Sequence, residues 1–262
     1  MQDVGTGESL TENILGYRVY RESLDASVRA ITEWIQKGKE CRTLACINPH
    51  SYVLSLKDLD FSTALHEADW LVPDGAGIVY ASKYLRGSIT TRITGSDIFA
   101  AVNAALVKQK FGSVFFLGST EATLELIRKK MAADFPCVKV AGSYSPPFKE
   151  VFSKEDNDAM IAAVNQAKPD VLWVGMTSPK QDIWIFENRH RLQVKFAAGV
   201  GAVFDFYTGQ IKRSHPVFQK LGLEWLPRLL QDPKRLWKRM FISAPVFLWH
   251  LYSTKRLTEF EA

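Results

Sequence analysis

The chain has 262 residues, a formal net charge of +5, and a composition that is 47% hydrophobic and 23% charged. This excludes a disordered, fibrous or low-complexity protein and suits one large domain, or one domain with an appendage. Cys41, Cys46 and Cys137 have no Cys-x-x-Cys spacing, which excludes a disulfide framework and a zinc site of the usual pattern and suits a reducing compartment.

The charge is unevenly placed. Residues 212–256 carry ten Lys or Arg against two Asp or Glu, together with three of the seven Trp, so residues 1–211 are close to neutral. Such a segment is expected to face nucleic acid, membrane or phosphate. The first fifteen residues are polar and lack the basic and apolar regions of a signal peptide. The most apolar stretch, 240–252, falls short of the roughly 20 residues a bilayer needs. The expected location is the cytosol, or the cytosolic side of a membrane as a peripheral protein.

Short apolar runs alternate with helical patterns along the chain. Residues 44–47 read as a strand and 53–68 as a helix. A strand over 69–72 leads through Pro73-Asp74-Gly75 into a helix reaching 85, and 97–108 is helical. The run 114–117 stops at Gly118, and Leu124, Ile127 and Met131 then share one helix face. The run 138–141 ends at Gly142. Ser153 and Asp156 form a capping box ahead of Met160, Ile161 and Val164. Buried strands over 171–174 and 196–198 close on Gly175 and Gly199. The alternation predicts an α/β fold: a Rossmann-like, mostly parallel sheet with helices on both faces. After Gly209 the pattern changes. Asp232-Pro233 is a good helix start, and Arg235, Lys238 and Arg239 fall near one face, so a helical C-terminal appendage is expected. The domain division is 1–209 for the α/β core and 210–262 for a basic, aromatic, membrane-associating segment, with a cut near 209 leaving a folded core.

Ligands of doubly wound folds bind at the carboxyl ends of strands, where several runs here end in Gly, Ser, Thr or Asp. Neither the dinucleotide Gly-x-Gly-x-x-Gly pattern nor a P-loop is present. Asp74 in its strand-to-helix loop is either a general base or a helix cap. Asn48 either bonds a sugar hydroxyl or closes an Asx turn. Arg92 either neutralises a phosphate or is a surface residue. Gln181 either sets an amide beside a substrate or caps a helix, and Asp205 is a candidate for a ribose or sugar hydroxyl. The five histidines show no metal-binding spacing, so no metal is expected.

The ordered motifs NPHS (48–51), PDGAGIV (73–79), RITGSD (92–97), FFLGST (115–120), VGMTSPKQD (174–182), GVGAVFDFYTG (199–209) and GLEWLPRLLQDPKRLWKR (222–239) resemble the WecG/TagA/CpsF glycosyltransferase family over about residues 44–240. The resemblance implies an inverting, metal-independent hexosyltransferase without a cofactor. It would move a sugar from a UDP-sugar to a polyprenyl-diphosphate-linked sugar, in cell-envelope or exopolysaccharide synthesis. It implies Asp74 as base, with Asn48, Arg92 and Gln181 in the catalytic set. Donor contacts are expected at Gly118, Ser119, Gly142, Tyr144, Gly175, Gly201 and Asp205, and Arg228 and Arg235 would reach the acceptor diphosphate. The chain departs from the family pattern at Cys46, where Thr is usual, at Asp182, where Glu is usual, and at residues 214–218. The candidate donors are UDP-glucose, UDP-N-acetylmannosamine and its uronic acid. The expected partners are the nucleotide-sugar, the lipid-linked acceptor and an anionic membrane surface, without nucleic acid; self-association is left open. The competing reading is a non-enzymatic module binding nucleic acid or anionic lipid through its basic segment. The distinctive motifs in the neutral core weigh against it. A dinucleotide oxidoreductase is weakened by the missing fingerprint.

Overall fold

The structure, a computed structural model, describes residues 10–211 and 239–260. Its centre is a six-stranded, wholly parallel sheet: β3 (Arg42–Ile47), β4 (Trp70–Pro73), β5 (Ser113–Gly118), β6 (Lys139–Tyr144), β7 (Val171–Gly175) and β8 (Phe196–Gly199), in the spatial order β4-β3-β8-β7-β5-β6. An antiparallel hairpin, β1 (Thr11–Ile14) with β2 (Tyr17–Tyr20), precedes it.

Side chains alternate across each strand, so neighbouring residues feed opposite cores. Leu44, Trp70, Val72, Val114, Phe116, Trp173 and Phe196 face one way. There they meet α1 (Leu24–Lys37), α5 (Gly95–Gln109), α6 (Glu121–Asp134) and α9 (Val203–Thr208). The opposite face is covered in two parts. Ala45, Ile47 and Leu71 pack under the hairpin, α2 (Pro49–Ser55), α3 (Leu59–His66) and α4 (Ala76–Tyr84). Phe115, Leu117, Leu172, Val174 and Ala197 pack under α7 (Lys154–Ala167) and α8 (Lys180–Asn188). The expected layered α/β architecture is the observed one.

Two expected boundaries move. The helix read over 53–68 is two helices, because the Asp58 carboxylate accepts from the Phe61 N–H and starts α3 afresh. The run ending at Gly142 continues to Tyr144. Gly142 sits inside β6, where a Cβ would lie 2.8 Å from the Phe115 ring, so a close approach and not a strand end requires the glycine.

The C-terminal helix α10 (Ala244–Phe260) follows a π-helical turn, Arg239–Ser243. Its Phe247 and Leu251 are buried in the same cluster as Tyr17, Tyr52, Val53 and Ile78. Polar contacts among the described residues fasten this segment: His50 Nδ1 with Ser243 Oγ at 2.8 Å, Tyr52 OH with His250 Nδ1 at 2.8 Å, and Tyr80 OH with Tyr252 OH at 2.9 Å. On its other side Phe241, Ile242 and Trp249 are exposed, Trp249 by 67%. No helix among the described residues is long and apolar enough to cross a membrane. The Asp232-Pro233 helix start lies outside the described residues, as do Arg228 and Arg235.

Candidate active site

Every strand of a parallel sheet points its carboxyl end the same way. The strand order therefore aligns the predicted residues along one edge: Asp74 after β4, Asn48 after β3, Gly201 after β8, Gly175 closing β7, Gly118 and Ser119 at β5, and Tyr144 closing β6. Adjacent strands lie about 4.8 Å apart, so the row from β4 to β5 runs roughly 19 Å, the scale of an extended ligand with several rings. Gly142 stands two residues short of this edge.

Asn48 and Asp74 are in contact. Asn48 Nδ2 donates to Asp74 Oδ2 at 3.2 Å. The Asn48 carbonyl oxygen of the side chain accepts from the His50 and Ser51 N–H groups and starts α2. One amide thus caps a helix and orients a carboxylate. The N-cap position of α4 falls on Gly75, one residue after Asp74. The Asp74 backbone N–H donates to the Ile47 carbonyl at 2.8 Å, tying the ends of β3 and β4. The next carbonyl back, Pro73, accepts from Ile93, which brings the Arg92 loop to the same strand end.

Three carboxyl groups act electrostatically on Cys46. Burial, and then Asp74, Asp182 and Asp97, push its thiol well above the ordinary thiol range against a hydrogen bond from the backbone of Gly95. Two of these carboxyls hold helix starts. Asp97 forms a capping box with Thr94, accepting its hydroxyl at 2.7 Å. Asp182 accepts the Ser178 hydroxyl at 2.7 Å. Asp182 is buried, and desolvation pushes its carboxyl up to about 7 despite hydrogen bonds from Ser178, its own backbone and Gln181.

Gln181 does not cap α8. Its Oε1 accepts from the Gly201 N–H at 2.9 Å, and its Nε2 lies against Gly199, where a Cβ would come within 2.8 Å. The buried set Gln181, Trp184, Ile185 and Asn188 has i, i+3, i+4, i+7 spacing, which turns Gln181 inward and shapes the turn after β8. At β5 and β7 the backbones touch: a Cβ on Gly118, at φ +116°, would lie 2.5 Å from the Gly175 carbonyl oxygen. Ser119, also at positive φ, accepts the Ser145 hydroxyl at 2.7 Å, joining the ends of β5 and β6. Asp205 stands in the first turn of α9.

The sequence alone assigns no role to Asp182 or His50. The inward spacing around Gln181 was a usable signal for the buried turn of α8. His50 had none, because its partner Ser243 is 193 residues away.

The glycosyl transferase WecG/TagA/CpsF family model matches residues 12–260. The chain belongs to this family. It is therefore a glycosyltransferase by family membership, as its ordered motifs implied. Three similar relatives carry one name, N-acetylglucosaminyldiphosphoundecaprenol N-acetyl-beta-D-mannosaminyltransferase. The Bacillus subtilis (strain 168) protein is 29% identical over 78% of this chain and 76% of its own length. That of Bacillus spizizenii is 30% identical over 77% and 75%, and that of Staphylococcus aureus (strain MW2) is 28% identical over 73% and 72%. Among the described residues of this family member, no three His, Cys, Asp or Glu are grouped to hold a metal ion.

The buried acid gives a stability prediction. Asp182 has a folded pKa above its unfolded one, so the folded state binds more protons between roughly pH 4 and pH 7. Its ionisation therefore destabilises the fold as pH rises through that window, and the full cost is present above it. Asp182→Asn keeps an acceptor for Ser178 and removes the titration. Relative to wild type it is expected to gain about 2–4 kcal/mol between pH 4 and pH 8. Chemical denaturation across that range checks this; a difference independent of pH would count against it.

Proposed function

We propose that this enzyme transfers N-acetylmannosamine from its UDP-linked form, with inversion, to the sugar of a polyprenyl-diphosphate-linked N-acetylglucosamine. The observation that carries the reading is the Asn48–Asp74 hydrogen bond at the carboxyl edge of the sheet. It supplies an oriented carboxylate in the crevice where such folds bind nucleotides. Asp74 takes the proton of the acceptor hydroxyl as that oxygen attacks the anomeric carbon and the nucleoside diphosphate leaves. Charge builds on the leaving diphosphate, and Arg92 together with Arg228 and Arg235 of the C-terminal segment neutralises the two diphosphates. No metal is needed for that charge. Asp205 and the glycine-ended strands hold the nucleotide. The shared name of the three relatives supports this donor and acceptor over UDP-glucose and the uronic acid.

The acceptor's lipid requires a membrane; exposed Phe241, Ile242 and Trp249 supply an apolar face for the cytoplasmic leaflet, and the stretch 212–239 that precedes them in the sequence supplies positive charge. The test is a panel of UDP-N-acetylmannosamine, its uronic acid and UDP-glucose, incubated with the lipid-linked N-acetylglucosamine acceptor and read by mass spectrometry. A product one N-acetylhexosamine heavier is expected, with UDP at 100 times its Kd stabilising the fold by about 2.7 kcal/mol. Transfer of glucose or the uronic acid alone would overturn the donor, and no transfer with no UDP stabilisation would overturn the whole reading.

A further inference from the structure

We propose that His50 is a positioning residue for Asp74, which makes the catalytic pair dependent on the docked C-terminal segment. The inference rests on Asp74 acting as the base.

The contacts form one continuous path. Ser243 is 97% buried at the end of the π-helical turn, and its hydroxyl bonds His50 Nδ1 at 2.8 Å. A buried hydroxyl requires such a partner. The His50 backbone N–H donates to Asn48 Oδ1 at 3.0 Å, and Ser51 N–H donates to the same oxygen at 2.9 Å. With Oδ1 held by these two groups, the other end of the amide, Nδ2, is directed to Asp74 Oδ2. The amide is planar, so turning the first turn of α2 turns the donor that orients the carboxylate. Single π-helical turns occur often at functional sites, and here the turn delivers Ser243 to the first turn of α2, the helix that Asn48 caps. The other two fastenings do not reach the pair this way. Tyr52–His250 lies further along α2, and Tyr80–Tyr252 lies on α4.

The site residues most exposed to this linkage come from residues 48–74, whereas Ser243 belongs to the segment that also exposes Phe241 and Ile242. A chain whose C-terminal segment is undocked keeps Asp74 but loses its fixed orientation. Misplacement of a reacting group by about 1 Å costs on the order of a hundredfold in rate.

The experiment uses the full chain. His50→Ala and Ser243→Ala are each expected to lower kcat by about ten- to a hundredfold, with the donor KM nearly unchanged. His50→Asn, whose side-chain amide places a polar atom where Nδ1 stood, restores most of kcat. Tyr80→Phe, which removes a fastening on α4, leaves kcat at the wild-type value. In an Asn48→Ala background, His50→Ala adds no further loss, because the path to Asp74 is already cut. A merely structural role would instead lower the melting temperature and reduce the rate equally in both backgrounds. Wild-type kcat in His50→Ala, or an equal loss in the Asn48→Ala background, overturns the proposal. If either occurs while Asp74→Asn is inactive, the base reading stands and only the His50 role falls. Wild-type transfer by Asp74→Asn overturns both.

Discussion

Asp74→Asn is expected to lower kcat by about two to four orders of magnitude with little loss of thermal stability. The amide oxygen can still accept from Asn48 Nδ2, so the link between the ends of β3 and β4 survives. The change also removes one of the three carboxyls that hold the Cys46 thiol above the ordinary thiol range. What is lost is the capacity to take a proton. The other two carboxyls do not replace it, since Asp97 is occupied with the Thr94 cap and Asp182 is buried against Ser178. Steady-state transfer rates and a melting curve on the same preparation test the statement. A folded variant with the wild-type rate would remove Asp74 from the chemistry.

The second large effect lies at α10. Phe247→Ala is expected to cost about 3–5 kcal/mol, because the ring is 1% exposed and is packed edge-on against Tyr52. For a chain of this size that lowers Tm by roughly 6–20 °C. Cutting the chain near 209 removes Phe247 and Leu251 together, with the Ser243, His250 and Tyr252 contacts. The remaining 1–209 core then exposes Tyr52, Val53 and Ile78 to water. It is expected to bind apolar dyes, to melt lower than the full chain, and to transfer sugar far more slowly. Calorimetry and dye binding on the truncated chain decide this, and equal melting temperatures would show that α10 adds nothing to the fold.

The parts of the fold legible in the sequence are those with a strong local pattern. The β7 run Val171-Leu172-Trp173-Val174 is apolar on both faces because helices cover both. The Ser153–Asp156 capping box is present as its spacing predicts. The hairpin went unread because its turn is Leu15-Gly16, both at positive φ, where such turns usually carry Asn-Gly. Helix α1 carries a local signal too, with Val28, Ile31 and Ile35 on one face after a Ser23 cap. The site divides in the same way. Asp74 and Asn48 stand out because each follows a clear strand and sits beside Gly or Pro. Their contact with each other depends on which strands are neighbours, and β3 and β4 become neighbours only through tertiary pairing. The work of Gln181, holding the Gly201 N–H, is equally non-local.

The four-residue strand β8 has a consequence for how the enzyme comes into being. It pairs with β3 on one side and β7 on the other, and among the described strands it is the only one that joins β4-β3 to β7-β5-β6. A nascent chain that has not yet delivered Phe196–Gly199 therefore carries two half-sheets with unsatisfied inner edges. One half holds Asn48 and Asp74, and the other holds Gly118 and Gly175. Synthesis must run through three-quarters of the sequence before the halves are stitched. Until then the ribosome-bound protein offers sticky seams to chaperones, and no catalytic crevice to its substrates.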